Sequence, residues 1–230
     1  MQSAPASERP ARRTQQERRD GTQRVLLDAT VSALCELGYA ATTTLEVERR
    51  AGVSRGARIH HFPTKAALLA SAVDHLYSQL SEHYGHAFDS SSTTRSDAQR
   101  FHSGLRLLWS IYRRPEYCAV LELQMAARTD AELCGHLRVV GERHRKLAID
   151  AASRYFPVLD EERARALIEA LHAAMVGMLM QRPLAEGELV EKMILSMLDD
   201  LVELHLERAR ARTSPSTSHS ASHSRRSTHG

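Results

Sequence analysis

The stretch Thr43–Lys65, T-T-L-E-V-E-R-R-A-G-V-S-R-G-A-R-I-H-H-F-P-T-K, constrains the fold more than any other. Thr43 followed by Glu46 has the S/T-x-x-E spacing of a capping box, so a helix is predicted to start there. Val47 and Ala51 lie four apart and face one way, with Val53 just beyond. Gly52 can adopt the left-handed conformation that ends a helix. Ser54 can cap a second helix that opens Arg55-Gly56-Ala57-Arg58. Two short helices joined by a tight glycine turn make a helix-turn-helix unit. In such units the N-terminal half of the second helix enters the DNA major groove. Here that half carries arginines and small residues, which suits close approach to DNA.

The same residues carry a family resemblance. Gly38-Tyr39, Thr43, Ala51-Gly52-Val53-Ser54, Gly56, His61-Phe62 and Pro63-Thr64-Lys65 stand in the order seen in the tetracycline-repressor (TetR) family of transcriptional regulators. The stretch resembles that family's DNA-binding region and covers roughly a fifth of the chain; an ordered motif of this length is a specific signal. Two positions depart from the pattern. Glu48 stands where the family usually has a small residue. Ile59 stands where it usually has a tyrosine that touches a phosphate, so that backbone contact is open here. By chemistry, Arg55, Ala57 and His60 are expected at base edges. Thr43, Ser54, His61 and Lys65 are expected mainly on phosphates. Thr44 and Gly56 complete the candidate DNA-binding set.

A chain of 230 residues suffices for one domain, or two small ones sharing a core. Net charge is only +3, so attraction to DNA must come from local basic clusters. No apolar run approaches the length of a membrane span. The N-terminus is Arg-rich without an apolar segment after it, unlike a secretory signal. Cys35, Cys118 and Cys134 are odd in number and lack C-x-x-C spacing, which suggests free thiols in a reducing cytoplasm. Abundant Ala, Leu, Glu and Arg with little Gly or Pro point to an all-α fold of about nine helices.

Residues 1–14 read as a disordered basic arm, either a solvated tail or an arm lying along DNA. Residues 15–63 read as the DNA-binding domain. Its first helix, from about Gln16 to Leu37, has Val25, Leu26, Ala29, Ala33, Leu34 and Leu37 as its apolar stripe and Gly38 as its C-cap. Residues 64–212 read as a helical regulatory and dimerisation domain, beginning with a helix capped by Thr64. Lys65 in its first turn, beside free backbone N–H groups, makes a phosphate seat. Residues 85–96 read as a loop and 213–230 as a disordered tail. His83 and His86 have no evident third metal ligand, so a solvated pair is the expectation.

Five further helices are expected at about 97–113, 116–128, 130–155, 160–181 and 187–212. The last two are apolar over more than one stripe, as in a helix buried on two sides. The simplest account is a four-helix dimer interface that includes Leu167, Leu171, Met178, Met193, Met197, Leu201 and Leu204, with a thick single-chain core as the alternative. Resemblance to the TetR family favours the homodimer. Between the two modules, Phe101, Leu105, Trp109, Tyr112, Leu121, Gln124, Met125, His144, His172 and Met175 are candidates for a largely apolar effector pocket. His144 and His172 are polar members of apolar stripes and read first as hydrogen-bonded core residues.

No catalytic fingerprint, cofactor motif or metal-ligand spacing is present. The expected protein is a cytoplasmic, non-enzymatic regulator. It would bind double-stranded, palindromic operator DNA as a homodimer and be released by a small apolar effector, with repression as the family default. The alternatives are a constitutive DNA-binding protein that senses nothing, or a ligand-binding helical protein with catalytic activity.

Overall fold

The computed structural model describes residues 14–89, 96–183 and 187–213. Within them the chain is all-α, with nine helices and no strand: α1 (Gln15–Ala41), α2 (Thr44–Ala51), α3 (Arg55–His61), α4 (Lys65–Asp89), α5 (Asp97–Tyr112), α6 (Pro115–Ala127), α7 (Ala131–Tyr155), α8 (Glu161–Gln181) and α9 (Gly187–Thr213). Nearly all of the expected basic arm and tail, and residues 90–95 of the expected loop, lie outside the described residues. So do the side chains of His83 and His86.

Polar caps set the helix starts. Thr14 and Glu17 form a full capping box on α1, and Ser96 and Gln99 form one on α5. Asp130 and Asp160 cap α7 and α8 through single side-chain bonds to backbone N–H groups. Pro115 occupies the first turn of α6, where its missing N–H costs nothing.

The α1 helix departs from expectation in its apolar stripe. Val25 and Leu37 are exposed. The buried stripe is instead Leu26, Leu27, Thr30, Ala33 and Leu34. Thr30 can sit in the core because its hydroxyl donates to the Leu26 carbonyl at 2.7 Å. Gly38 ends the long first part of the helix, as expected, with φ +72°; a short helical piece follows it to Ala41.

Two apolar cores result. A small one joins Leu26, Leu27 and Ala33 of α1 to Val47 of α2, Phe62, and Leu68 and Ala72 of α4. A large one takes Leu69, Val73, Leu76 and Leu80 from other faces of α4 and continues through α5 to α9. The α4 helix therefore belongs to both cores. Its movement relative to one core is felt in the other, because close-packed interiors transmit strain.

Candidate nucleic-acid interface

Thr43 opens α2 in an extended conformation, and its hydroxyl accepts the Glu46 N–H at 3.1 Å. The other half of the expected capping box is absent. The Glu46 carboxylate instead accepts from Arg49 Nε and Nη2, at 2.9 and 2.7 Å, and from Arg50 Nε at 2.7 Å. Charge-assisted bonds from two guanidinium groups outcompete a neutral backbone N–H. The bonds from Arg49, and then from Arg50, hold the Glu46 carboxyl down at about 2. Arg50 also donates to Glu36 and Ser32 on α1, at 2.9 and 3.1 Å, which clasps α2 to α1.

Gly52 ends α2 with φ +63°, in the left-handed region, and Ser54 caps α3 by accepting the Ala57 N–H. The helix-turn-helix is thus built as the sequence implies. A buried ion pair, which the sequence reading missed, closes it. Glu48 on α2 and Arg58 on α3 are 8% and 6% exposed, with Arg58 Nε donating to Glu48 Oε1 at 2.9 Å. Arg58 Nη1 also donates to the Phe62 carbonyl at 3.2 Å. Opposite charges ten residues apart across the turn were the available signal. The unusual glutamate serves as the counter-ion of an inward-turned arginine.

With Arg58 turned inward, Arg55, Gly56, Ile59 and His60 form the exposed face of α3, at positions i, i+1, i+4 and i+5. Arg55 has no ion pair or hydrogen bond among the described residues. Ala57 and His61 are half-buried at the edge of this face. Burial, then His60 and Arg19, lowers the pKa of His61. Thr43 and Ser54 are exposed and Thr44 is half-buried. Both exposed hydroxyls accept a backbone N–H and keep a proton to donate.

Lys65 begins α4, with its ammonium 4.7 Å above the Tyr39 ring. Burial lowers its pKa, opposed by Asp130. The Tyr39 N–H donates to Glu122 Oε2 on α6 at 2.7 Å. A Cβ added at Gly38 would lie 2.9 Å from that same oxygen, so a side chain there would push on this bond as well as strain the positive φ. This contact joins α6 to the α1 kink and, through Tyr39, to the head of α4.

In the regulatory region the structure redistributes the candidate pocket. Phe101, Leu105, Trp109, Tyr112 and Met175 are buried, and Leu121 packs against the same core. Gln124 and Met125 are on the surface, Met125 at 58% exposure, because α6 turns its Tyr117, Val120 and Leu123 face inward instead. His144 bonds Asp74 at 2.6 Å and His172 bonds the Tyr112 hydroxyl at 2.7 Å, so both are hydrogen-bonded residues of the interior. The Tyr112 ring stacks on Tyr117 with centroids 3.9 Å apart, and Tyr77 lies edge-on to His144 at 5.1 Å. Burial pushes the Tyr77, Tyr112 and Tyr117 hydroxyls well above the usual phenol range. Among the candidate pocket residues, Tyr112 and His172 thus pack in one aromatic cluster with Tyr77 and Tyr117. A cleft of about 240 Å³ lies between α5 and α9, beside the candidate residue Phe101 and His102, Asp199 and Leu206.

The candidate dimer residues split. Leu167, Leu171 and Met178 are buried within the chain's own core. Met193, Met197, Leu201 and Leu204 are exposed on α9, together with Leu189. The α8 helix turns its large residues inward, so its outer side carries Ala166, Ala170, Ala173 and Gly177, ending in exposed Met180.

Residues 26–72 match the family model described as bacterial regulatory proteins, tetR family. The chain is 49% identical over 73 residues to the HTH-type transcriptional regulator CymR of Pseudomonas putida, a match covering 32% of this chain and only 36% of that relative. It is 32% identical over 146 residues to an uncharacterised HTH-type transcriptional regulator of Mycobacterium tuberculosis, covering 63% of this chain and 72% of the relative. Its fold is similar to that of the multidrug binding protein EbrR, solved in complex with imidazole. That similarity has a TM-score of 0.60 at 21% identity, over 78% of this chain and 93% of the other. No described helix is long and apolar enough to cross a membrane. The helix-turn-helix geometry, the family match and the long mycobacterial relative agree: the chain belongs to the tetR family of bacterial regulatory proteins and is a DNA-binding, helix-turn-helix transcriptional regulator.

Proposed function

We propose that this regulator is a cytoplasmic repressor that binds a palindromic operator as a homodimer and is released by a small, largely apolar effector. The observation that carries the DNA reading is Arg55 on the exposed face of α3, which has no partner among the described residues. An exposed guanidinium with no internal partner retains its fork of donors for guanine O6 and N7. Ala57 and His60 complete the base-facing set. Thr43, Thr44, Ser54, His61 and Lys65 suit phosphate contacts, and Gly56 allows the backbone to come close.

The exposed Leu189, Met193, Met197, Leu201 and Leu204 stripe supports the homodimer. A row of large apolar residues on one face of α9 suits ridge-into-groove packing against a second copy. Two recognition helices related by a two-fold axis require an inverted repeat in DNA.

The EbrR complex with imidazole supports small-molecule sensing, as does the large core that the DNA module alone does not need. An effector entering the Tyr77, Tyr112, Tyr117 and His172 cluster would have to displace those rings. It would thereby shift α4 and α6, the two helices that hold the head of the DNA module through Lys65 and Glu122. A ligand that binds the DNA-incompetent state better by about 1–3 kcal/mol weakens DNA binding roughly 5–150-fold.

Reciprocity supplies the test. Operator DNA must weaken effector binding by the same factor that the effector weakens operator binding. Calorimetry of a candidate effector, with and without operator, should give two different affinities. Equal affinities would exclude coupling by that compound.

A further inference from the structure

Ile59 is the one large apolar side chain on α3, and it is 43% exposed. It belongs to neither apolar core. Its direction is set by its neighbour. The buried bond of Arg58 to Glu48, 2.9 Å long, fixes the rotation of α3 about its axis, and Ile59 follows by one residue on the outward side. Arg55 lies one turn before it and His60 beside it on the same face. Gly56, the fourth residue of that face, has nothing within 4 Å of the place where a Cβ would be. The face can therefore approach a base-pair surface closely, and Ile59 would be carried in among polar contacts.

An isoleucine cannot hydrogen-bond a phosphate, so it has no part in backbone positioning through polar contact. The apolar group that the major groove offers is the C5 methyl of thymine. From this juxtaposition we infer that Ile59 is a specificity-determining residue that reads a thymine methyl in each half-site, beside the base pair met by Arg55. The inference rests on the DNA-binding reading above. It adds a purely apolar discrimination, which leaves salt dependence unchanged because no counterion is released.

The test pairs a protein change with a one-methyl change in DNA. Duplex selected from a random pool by the full-length wild-type protein should contain a fixed thymine in each half-site. Replacing that thymine by deoxyuridine in one half-site removes only the methyl. It should weaken wild-type binding about four-fold, the value of one buried methyl-sized group. The same replacement should leave the Ile59→Ala variant unaffected, with the salt slope equal for both proteins. Ile59 is exposed and outside both cores, so the variant should fold, which its melting temperature checks. If thymine is enriched but deoxyuridine weakens both proteins equally, Ile59 does not meet the methyl; the inference falls and the regulator reading stands. If no thymine position is selected, the inference likewise falls. If wild type enriches no sequence at all, the regulator reading itself fails.

Discussion

Arg58 and Arg55 stand three residues apart on one helix and do opposite things. Arg58 is desolvated, so it needs the Glu48 carboxylate and the Phe62 carbonyl to remain in the core. Glu48→Ala would leave a buried, unpaired guanidinium and should destabilise the protein by about 3–5 kcal/mol in urea unfolding. The double change Glu48→Leu with Arg58→Met should recover most of that loss, since buried pairs seldom outperform apolar packing of similar volume. A single-variant loss below about 1 kcal/mol would mean that the pair does not hold α2 to α3. Arg55→Ala, by contrast, should leave stability unchanged. It should relax preference at about one base pair by about 1–3 kcal/mol, read from competition among duplex variants. Lys65→Ala should weaken all duplexes alike and reduce the salt slope by about one. A change of sequence preference without a change of slope would contradict the role assigned to Lys65.

At the scale of elements, α2 is clasped to α1 through Arg50, which Glu46 braces, and that bracing is pH-sensitive. The folded carboxyl sits near 2, below its ordinary 4.5. A depressed carboxyl contributes stability above the unfolded value, and the contribution is lost as pH falls through the folded one. The difference in melting temperature between wild type and Glu46→Gln should therefore be full above pH 4.5 and shrink toward zero near pH 2. A difference independent of pH would show that Glu46 does not brace Arg49 and Arg50 as a carboxylate.

Most elements could be read directly because caps and periods are local: Thr43, Gly52, Ser54, Thr64, Asp130 and Asp160 mark helix ends within three residues of themselves. Which face of a helix meets which neighbour is not local, and the reading erred there. Val25 and Leu37 fit an apolar period yet lie outside, because the face of α1 that packs on α2 and α4 is centred on Leu26, Thr30 and Ala33. The large residues of α8 read as a second apolar face, but they fill the chain's own core. Glu122 carried no motif, since its role exists only where α6 meets the kink across 83 residues of sequence.

At the scale of the whole molecule, the separation of the two recognition helices of the proposed dimer is what an effector would have to change, and the α9 stripe would set it. A charge in the α9 stripe, as in Leu201→Glu, should yield a folded monomer by sedimentation velocity at micromolar concentration. Operator affinity should fall because the second half-site then binds independently. A variant that remains dimeric would relocate the interface. The central claim is that this chain reads an inverted repeat as a dimer. Selection of duplexes from a random pool by the full-length protein, followed by sedimentation on the enriched site, tests it most directly. Two inverted half-sites about one helical turn apart, carrying two chains per duplex, are expected. A single unrepeated half-site bound by one chain, or no enrichment at all, would contradict the claim.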